Sequence, residues 1–250
     1  LMFRSGGLFD SEKSGLAEFV ADMLDKGVKG KTGYELASEI DFIGASLSAT
    51  ASSDFIAVSL SGLSKYKEKL LDILKSVVIE PAFPEDELEK LRQRTLSNLI
   101  SERSEPDALI GKLRRKLVYG EGAYGSFQTE ESVASITRDD LIAFHKAHFL
   151  PNNASLAIVG SFDGPTELAR VKSELGKWKP AELPPLPDLS FPEVDGGTIH
   201  LLDREDSVQS TLRVAQQSVP KSNPDTPELR VVMSIPVSYT HLTLPTNCVV

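Results

Sequence analysis

The sequence predicts an α+β fold, and three observations carry that expectation. Apolar residues first recur at helical spacing, the period then switches to strict alternation over a stretch long enough for a hairpin, and the helices that follow do not alternate with strands one for one. A doubly wound parallel sheet requires that regular alternation. Its absence points to helices and strands in separate blocks.

The elements follow in order. From about Ser14 to Lys26, Leu16, Phe19, Val20, Met23 and Leu24 fall on one helical stripe, and Gly27 supplies a stop. Thr32 with Glu35 three residues later is a capping-box pattern; Leu36, Ile40 and Ile43 line the face of the helix it opens, and Gly44 ends it. From Ala45 the residues alternate, with Leu47, Ala49 and Ala51 on one face. After Ser52-Ser53-Asp54, Ile56, Val58 and Leu60 alternate again, which reads as a β-hairpin. Helices are expected from Ser64 to Ile79, from Pro84 to about Arg103 and from Pro106 to Tyr119, with Glu85, Asp86 and Glu87 in a first turn where the helix dipole favours acids. Thr137 and Asp140 cap a helix through His148. The apolar run Ala154 to Gly160 reads as a short buried strand, and one more helix spans roughly Pro165 to Lys177. Prolines at 180, 184, 185, 187 and 192 mark a stiff linker, beyond which strands are expected at Thr198 to Asp203 and Val208 to Gln216.

Composition excludes several functions. The 250 residues carry 27 Lys+Arg against 36 Asp+Glu, a net charge of −9. Affinity for phosphate backbones needs clustered cations, so nucleic acid is an unsuitable partner. With 40% hydrophobic and 25% charged residues, the chain has the makings of an ordinary core. No apolar run reaches the 18 or so residues of a membrane-spanning helix. Cys248 is the lone cysteine, which excludes a disulfide framework or a cysteine-based zinc site in the body of the chain. The length corresponds to roughly 1.7 domains, both ends read as cut, and the opening residues lack the pattern of a signal peptide.

Several words along the chain are more specific than the element order. They are Gly15-Leu16-Ala17-Glu18-Phe19-Val20-Ala21-Asp22-Met23-Leu24-Asp25-Lys26-Gly27, then Ile43-Gly44-Ala45, Asp54, Pro81-Ala82-Phe83, Tyr124-Gly125, Phe149-Leu150-Pro151-Asn152-Asn153 and Ile158-Val159-Gly160. In this order they resemble the M16 peptidase family, the insulinase, pitrilysin and mitochondrial processing peptidase-like proteins, over roughly residues 3 to 232. The resemblance implies a mainly antiparallel sheet packed against helices, plus the start of a second similar domain. It divides the chain into an M16-like domain at 1–180, a Pro-rich linker at 181–196, a truncated second domain at 197–234 and a tail at 235–250. That tail resembles translated sequencing-adapter read-through, and Pro236 and Pro245 interrupt the helix expected from Thr226, so it is expected to be non-native and unpacked.

Active members of this family carry His-x-x-Glu-His on the first helix. Two imidazoles one turn apart hold zinc and the Glu activates the bound water. Here the matching positions are Glu18 for the first His, Ala21 for the base and Asp22 for the second His, while the later carboxylate ligand falls on Ser97 or Asn98. The resemblance therefore implies neither a bound cofactor nor catalysis by this chain alone, since Ala21 cannot take a proton from water. It implies a non-catalytic subunit or half of an M16 zinc metallopeptidase assembly, with a zinc-motif sibling and an unfolded peptide as partners, in the bacterial periplasm or cell envelope. The alternatives are a structural M16 homologue without proteolytic role, or a metallopeptidase with a remodelled metal site.

Other candidates read as structural. His145 and His148 suit the dipole at a helix C-terminus, and His200 a strand face. Gly120 to Gly125 lacks the Lys-Ser/Thr of a phosphate loop. Lys112, Arg114, Arg115 and Lys116 spread around a helix as a solvated face or partner contact. Trp178 packs the last helix onto the domain. In active relatives an edge strand of the first domain holds peptide by strand addition, which draws attention to the hairpin strand from Asp54 to Gly62.

Overall fold

The computed structural model describes residues 1–187, 189, 191–193, 197–203, 210–215 and 217–238, with backbone alone from 233 onward. The first helix, α1 (Leu16–Met23), is the organising element. Leu16, Ala17, Phe19, Val20, Ala21 and Met23 are all buried, leaving Glu18 and Asp22 as its outward face. A helix apolar on nearly every side must be covered on nearly every side. The cover comes from the hairpin strands β4 (Ser46–Ala51) and β5 (Ile56–Ser61), from α4 (Glu85–Glu102) and from α7 (Arg138–His148). At about 1.5–3 kcal/mol for each large apolar side chain withdrawn from water, this one helix contributes a large share of the core.

Two antiparallel sheets are present among the described residues. A short strand β1 (Met2–Phe3) sits between β5 and β6 (Ala154–Ser155), giving the order β4-β5-β1-β6. The register sets Met2 opposite both Ala57 and Ser155, and Phe3 opposite both Ile56 and Ala154. The second sheet pairs β2 (Gly27–Val28) with β3 (Lys31–Thr32) ahead of α2 (Gly33–Phe42). In the hairpin, Leu47, Ala49 and Ala51 pack toward the core while Ser46, Ser48 and Thr50 face outward. That is the alternation expected of a half-buried strand.

The remaining helices are α3 (Lys67–Ile79), α5 (Pro106–Tyr119), α6 (Glu130–Ser135), α8 (Gly164–Leu175) and α9 (Thr226–Ser238). Thr32 and Thr137 form the capping boxes expected of them, with Glu35 and Asp140. Gly44 adopts φ +62° at the end of α2, a conformation glycine reaches without steric cost. Trp178 meets Phe3 edge to face at 5.9 Å, which ties the end of α8 to the sheet.

Five points of the sequence reading need correction. Helix α6 escaped the sequence reading because it is a single short turn-and-a-half, opened by a box between Thr129 and Ser132 that lacks the usual Glu or Gln. The strand expected over 154–160 is confined to Ala154–Ser155, and Val159 is 96% exposed instead of buried. Thr198 to Asp203 is not a strand: Ile199 and Leu201 are about nine-tenths exposed, and among the described residues no strand pairs with this stretch to continue its alternation as a ladder. Of the strand expected at 208–216, residues 208, 209 and 216 lie outside the described residues, and 210–215 form no strand. Helix α9 continues through Pro236 to Ser238, at the cost of one backbone hydrogen bond, where the prolines were expected to break it. Residues 239–250, with Leu242, Leu244 and Cys248, lie outside the described residues.

Candidate functional site

The chain enters α1 through Asp10 and Gly15. The Asp10 carboxylate accepts the backbone N–H groups of Gly15 at 2.7 Å and Ala17 at 2.8 Å, so it satisfies donors that the helix cannot satisfy itself. Burial pushes its pKa up to about 7, against the pull of those N–H groups. Gly15 has φ +101°, and a Cβ there would stand 2.6 Å from the Gln128 side chain. Glycine thus lets Gln128 reach over the helix start, where its amide donates to Glu18 at 2.6 Å.

Glu18 and Asp22, one turn apart, project from the exposed face of α1 toward α4. Desolvation raises the pKa of both, with mutual repulsion the next cause at Glu18 and the Arg94 guanidinium the main opposing influence at Asp22. Arg94 donates to Asp22 at 3.2 Å. Ala21 lies between the two acids in sequence but faces inward, 2% exposed. On α4, Arg94, Asn98 and Glu102 are spaced four apart and share one face, with Arg94 at Asp22 and Glu102 close enough to raise Glu18 further. Asn98 is therefore the member of the Ser97/Asn98 pair on the side of α1. Ser97 instead spends its hydroxyl on its own helix, donating to the Gln93 carbonyl at 2.9 Å.

Beside this face opens a polar pocket of about 440 Å³, bounded by Asp10, Glu18, Glu102, Lys112, Arg115 and Gln128 among others. Lys112 pairs with Glu102 at 2.5 Å, and Arg115 donates to the Tyr124 carbonyl at 2.6 Å and to Ser53 Oγ at 3.3 Å. Two of the four cations read as a solvated face are thus turned inward by the rotation of α5, leaving Arg114 and Lys116 exposed. The glycine loop before α6 carries Tyr124, whose hydroxyl donates to Asp54; this bond pushes the phenol up to about 12. Gly125 packs so close to the Gly120 carbonyl that a side chain would collide with it, which fits the conformational reading of that loop.

The histidines do not act as dipole-compensating cations. His148 is buried between the rings of Phe9 and Phe144, and desolvation lowers its pKa to about 4. His145 is lowered for the same reason and sits 2.7 Å from the Val78 carbonyl. Both are neutral near pH 7, so they pack α7 and do not serve its dipole. His200 is exposed in a stretch without regular structure. Sequence reading missed Asp10, Arg94, Glu102 and Gln128, because nothing local marks them; each matters only through a partner distant in the chain.

These residues do not suit a zinc ion. Carboxylates are the only donors that α1 offers, both already have partners, and the Arg94 guanidinium places a fixed positive charge where a dication would gather ligands. Among the described residues no group of three His, Cys, Asp or Glu side chains is arranged to hold a metal.

The family model "Insulinase (Peptidase family M16)" matches residues 1–126, and "Peptidase M16 inactive domain" matches 135–235. The chain belongs to the M16 peptidase family. A zinc protease-like M16 relative, "Uncharacterized zinc protease YmxG" of Bacillus subtilis, is 26% identical over 152 residues, covering 60% of this chain and 37% of the relative. "Non-peptidase homolog YmxG" of Helicobacter pylori is 28% identical over 144 residues, 56% of this chain and 33% of the relative. Among solved structures, the M16 inactive domain of Pseudomonas fluorescens superposes with a TM-score of 0.70 at 25% identity, covering 75% of this chain and 46% of that one. The chain thus spans between a third and a half of the length of the curated relatives it matches. Its antiparallel sheet packed on helices is the M16 fold, and no helix among the described residues is long and apolar enough to cross a membrane.

Proposed function

We propose that this chain is a non-catalytic subunit or half of an M16 zinc metallopeptidase assembly, supplying a wall of the peptide chamber and contacts to a zinc-motif partner. The observation that carries this reading is the Asp22–Arg94 ion pair, with Glu18 held by Gln128, at the positions assigned to the two zinc-binding histidines. With Ala21 at the base position, the side chain that would take a proton from the bound water is missing even if a cation were to visit the carboxylates. Asn98 takes the place of the later ligand. Residues 1–180 form the M16-like domain of this proposal, 181–196 its linker, 197–234 the opening of a second domain, and 235–250 a non-native tail. Periplasm or cell envelope is the compartment we assign.

Peptide is held at β4. It is the terminal strand of its sheet, lies against α1, and contains Ser, Leu, Ala and Thr without the lysine, proline or bulge that usually blunts an exposed edge. An extended substrate adds there through backbone hydrogen bonds, which confer affinity with little sequence selectivity. This assigns the edge to β4, since β5, the strand singled out from the sequence, lies inside the sheet between β4 and β1.

The test is co-expression of the full-length protein with zinc-motif M16 siblings, followed by peptide-cleavage assays on the purified mixtures. A sibling whose cleavage or solubility rises in its presence is the expected result. If no sibling responds, the subunit reading fails.

A further inference from the structure

Helix α5 is held differently from α1. Of its 14 residues only Val118 is buried, whereas α1 buries six of its eight. Between α5 and the helices α1 and α4 lies open space: the polar pocket of about 440 Å³ and a second of about 380 Å³, which share Leu99, Glu102, Lys112, Phe127 and Gln128. A helix set across two pockets from the core lacks much of the apolar contact that fixes α1, and segments with few such contacts are the first to open. We infer that α5 and the glycine loop after it form a movable wall of these pockets, and that the Pro-rich segment following α8 is the latch that holds the wall shut.

Three contacts make the latch. Phe191 lies 5.9 Å from the ring of Tyr119, at the end of α5, and 5.8 Å from that of Tyr124, in the loop, while the two tyrosine rings are themselves 5.8 Å apart. Rings at such distances gain from tilted and edge-on contact beyond the area they cover. Beside Phe191, Pro192 packs against Gly120, where a Cβ would come within 3.1 Å of the proline ring. The Gln217 amide then donates to the Val118 carbonyl at 2.9 Å and to the Pro192 carbonyl at 2.8 Å. Val118 sits in the last turn of α5, where carbonyls find no partner within the helix, so one side chain both caps α5 and pins the Pro-rich segment across it. At the opposite end of α5, Arg213 adds an ion pair with Asp107.

The latch reaches the pocket through Tyr124. Its carbonyl accepts from Arg115 Nε at 2.6 Å and its hydroxyl donates to Asp54. Arg115 goes on to Ser53, on the facing wall, and Lys112 spans to α4 by pairing with Glu102. These links across the gap are polar and partly exposed, so water can take the place of either partner. It cannot replace the stacked rings. Lifting Phe191 therefore frees Tyr124, and with it the loop and the end of α5, so the position of the Pro-rich segment sets access to the pockets. That holds whether or not the chain works as a peptidase subunit.

The test compares the native chain with Phe191→Ala, Gln217→Ala and Phe191→Tyr by amide hydrogen exchange. Reporters on the wall are Gly120, bonded to Lys116, and Gly125 and Ser126, both bonded to Gly122; reporters elsewhere are Gly7 and Leu8, bonded to Ser52 and Ser53, and Phe19 in the core. In the two alanine variants exchange should quicken about fivefold or more at Gly120, Gly125 and Ser126 and stay unchanged at Gly7, Leu8 and Phe19, with Phe191→Tyr close to native. Brief acetylation followed by mass spectrometry reads the pocket itself: Lys112 should react several-fold faster in the alanine variants, while the exposed Lys29 keeps its native rate. Unchanged exchange on the wall in either alanine variant overturns the inference, as does equal quickening at all six amides, which would report loosening of the whole domain. So does a Phe191→Tyr variant as fast as Phe191→Ala, since the ring would then not be what holds the loop. A loosened loop with Lys112 no more reactive than in the native chain overturns it as well, because the wall would not gate the pocket.

Discussion

Lowering the pH from 7 to 5 will remove stability that neutral His148 contributes, and the magnitude follows from the buried cluster that holds it. Asn153 donates its amide to Ser5 Oγ at 2.8 Å and to the His148 carbonyl at 2.9 Å. Ser5 accepts from Asn153, which leaves its own proton for His148 Nδ1 at 2.9 Å, so Nδ1 accepts and the ring is the neutral Nε2–H tautomer. Protonating Nδ1 would give Ser5 two donors and no acceptor for its own hydrogen. The folded pKa of about 4 lies below the unfolded 6.5, so the unfolded chain binds the proton first as pH falls. Stability contributed by the neutral ring is fully present above 6.5 and is lost on the way down to 4. Between pH 7 and pH 5 the loss amounts to about 2 kcal/mol. Asp10 has the opposite sign: its folded pKa of about 7 lies above the unfolded 3.8, so its contribution is lost as pH rises, and on acidification from pH 7 to pH 5 it returns about 2 kcal/mol, which offsets the His148 loss in the same window. The assay must therefore be a difference. Urea unfolding of the native protein and of His148→Asn, each at both pH values, cancels the Asp10 contribution. The expected outcome is that the variant, weaker overall from lost ring packing, loses about 2 kcal/mol less than the native protein on acidification. Equal losses in the two proteins would refute the buried neutral histidine.

Two further substitutions probe the candidate site. Gly15→Ala places a Cβ against Gln128 on a left-handed backbone, and thermal unfolding should report a destabilisation of about 1–3 kcal/mol, accompanied by loss of the Gln128–Glu18 bond. Arg94→Ala removes the partner of Asp22, but both side chains are about half exposed, so denaturant titration should show a change below about 1 kcal/mol, and elemental analysis of the purified variant should still find no stoichiometric zinc.

Much of the fold was legible because helices close their hydrogen bonds within their own segment. Thr32 and Thr137 announced their helices, the alternation from Leu47 to Leu60 announced the hairpin, and six motif words in order announced the family. Strands were read less well where they depend on a neighbour. Ala154 to Gly160 has the composition of a strand but extends only as far as β1 accompanies it, and Thr198 to Asp203 alternates but pairs with no strand among the described residues. At the site, the types at positions 18, 21, 22 and 98 were readable, while the use made of them was not.

The sequence alone determined that α1 carries Glu18, Ala21 and Asp22, which the resemblance matches to the metal-binding and proton-accepting positions of active M16 members, since residue identity at a helical spacing is a local property. Only the tertiary structure decided that Asp22 meets Arg94 across 72 positions and Glu18 meets Gln128 across 110. It likewise decided that the serine, histidine and asparagine of the buried cluster converge. Such contacts arise from packing surfaces distant in the chain, where no short pattern of residues specifies which side chains will meet.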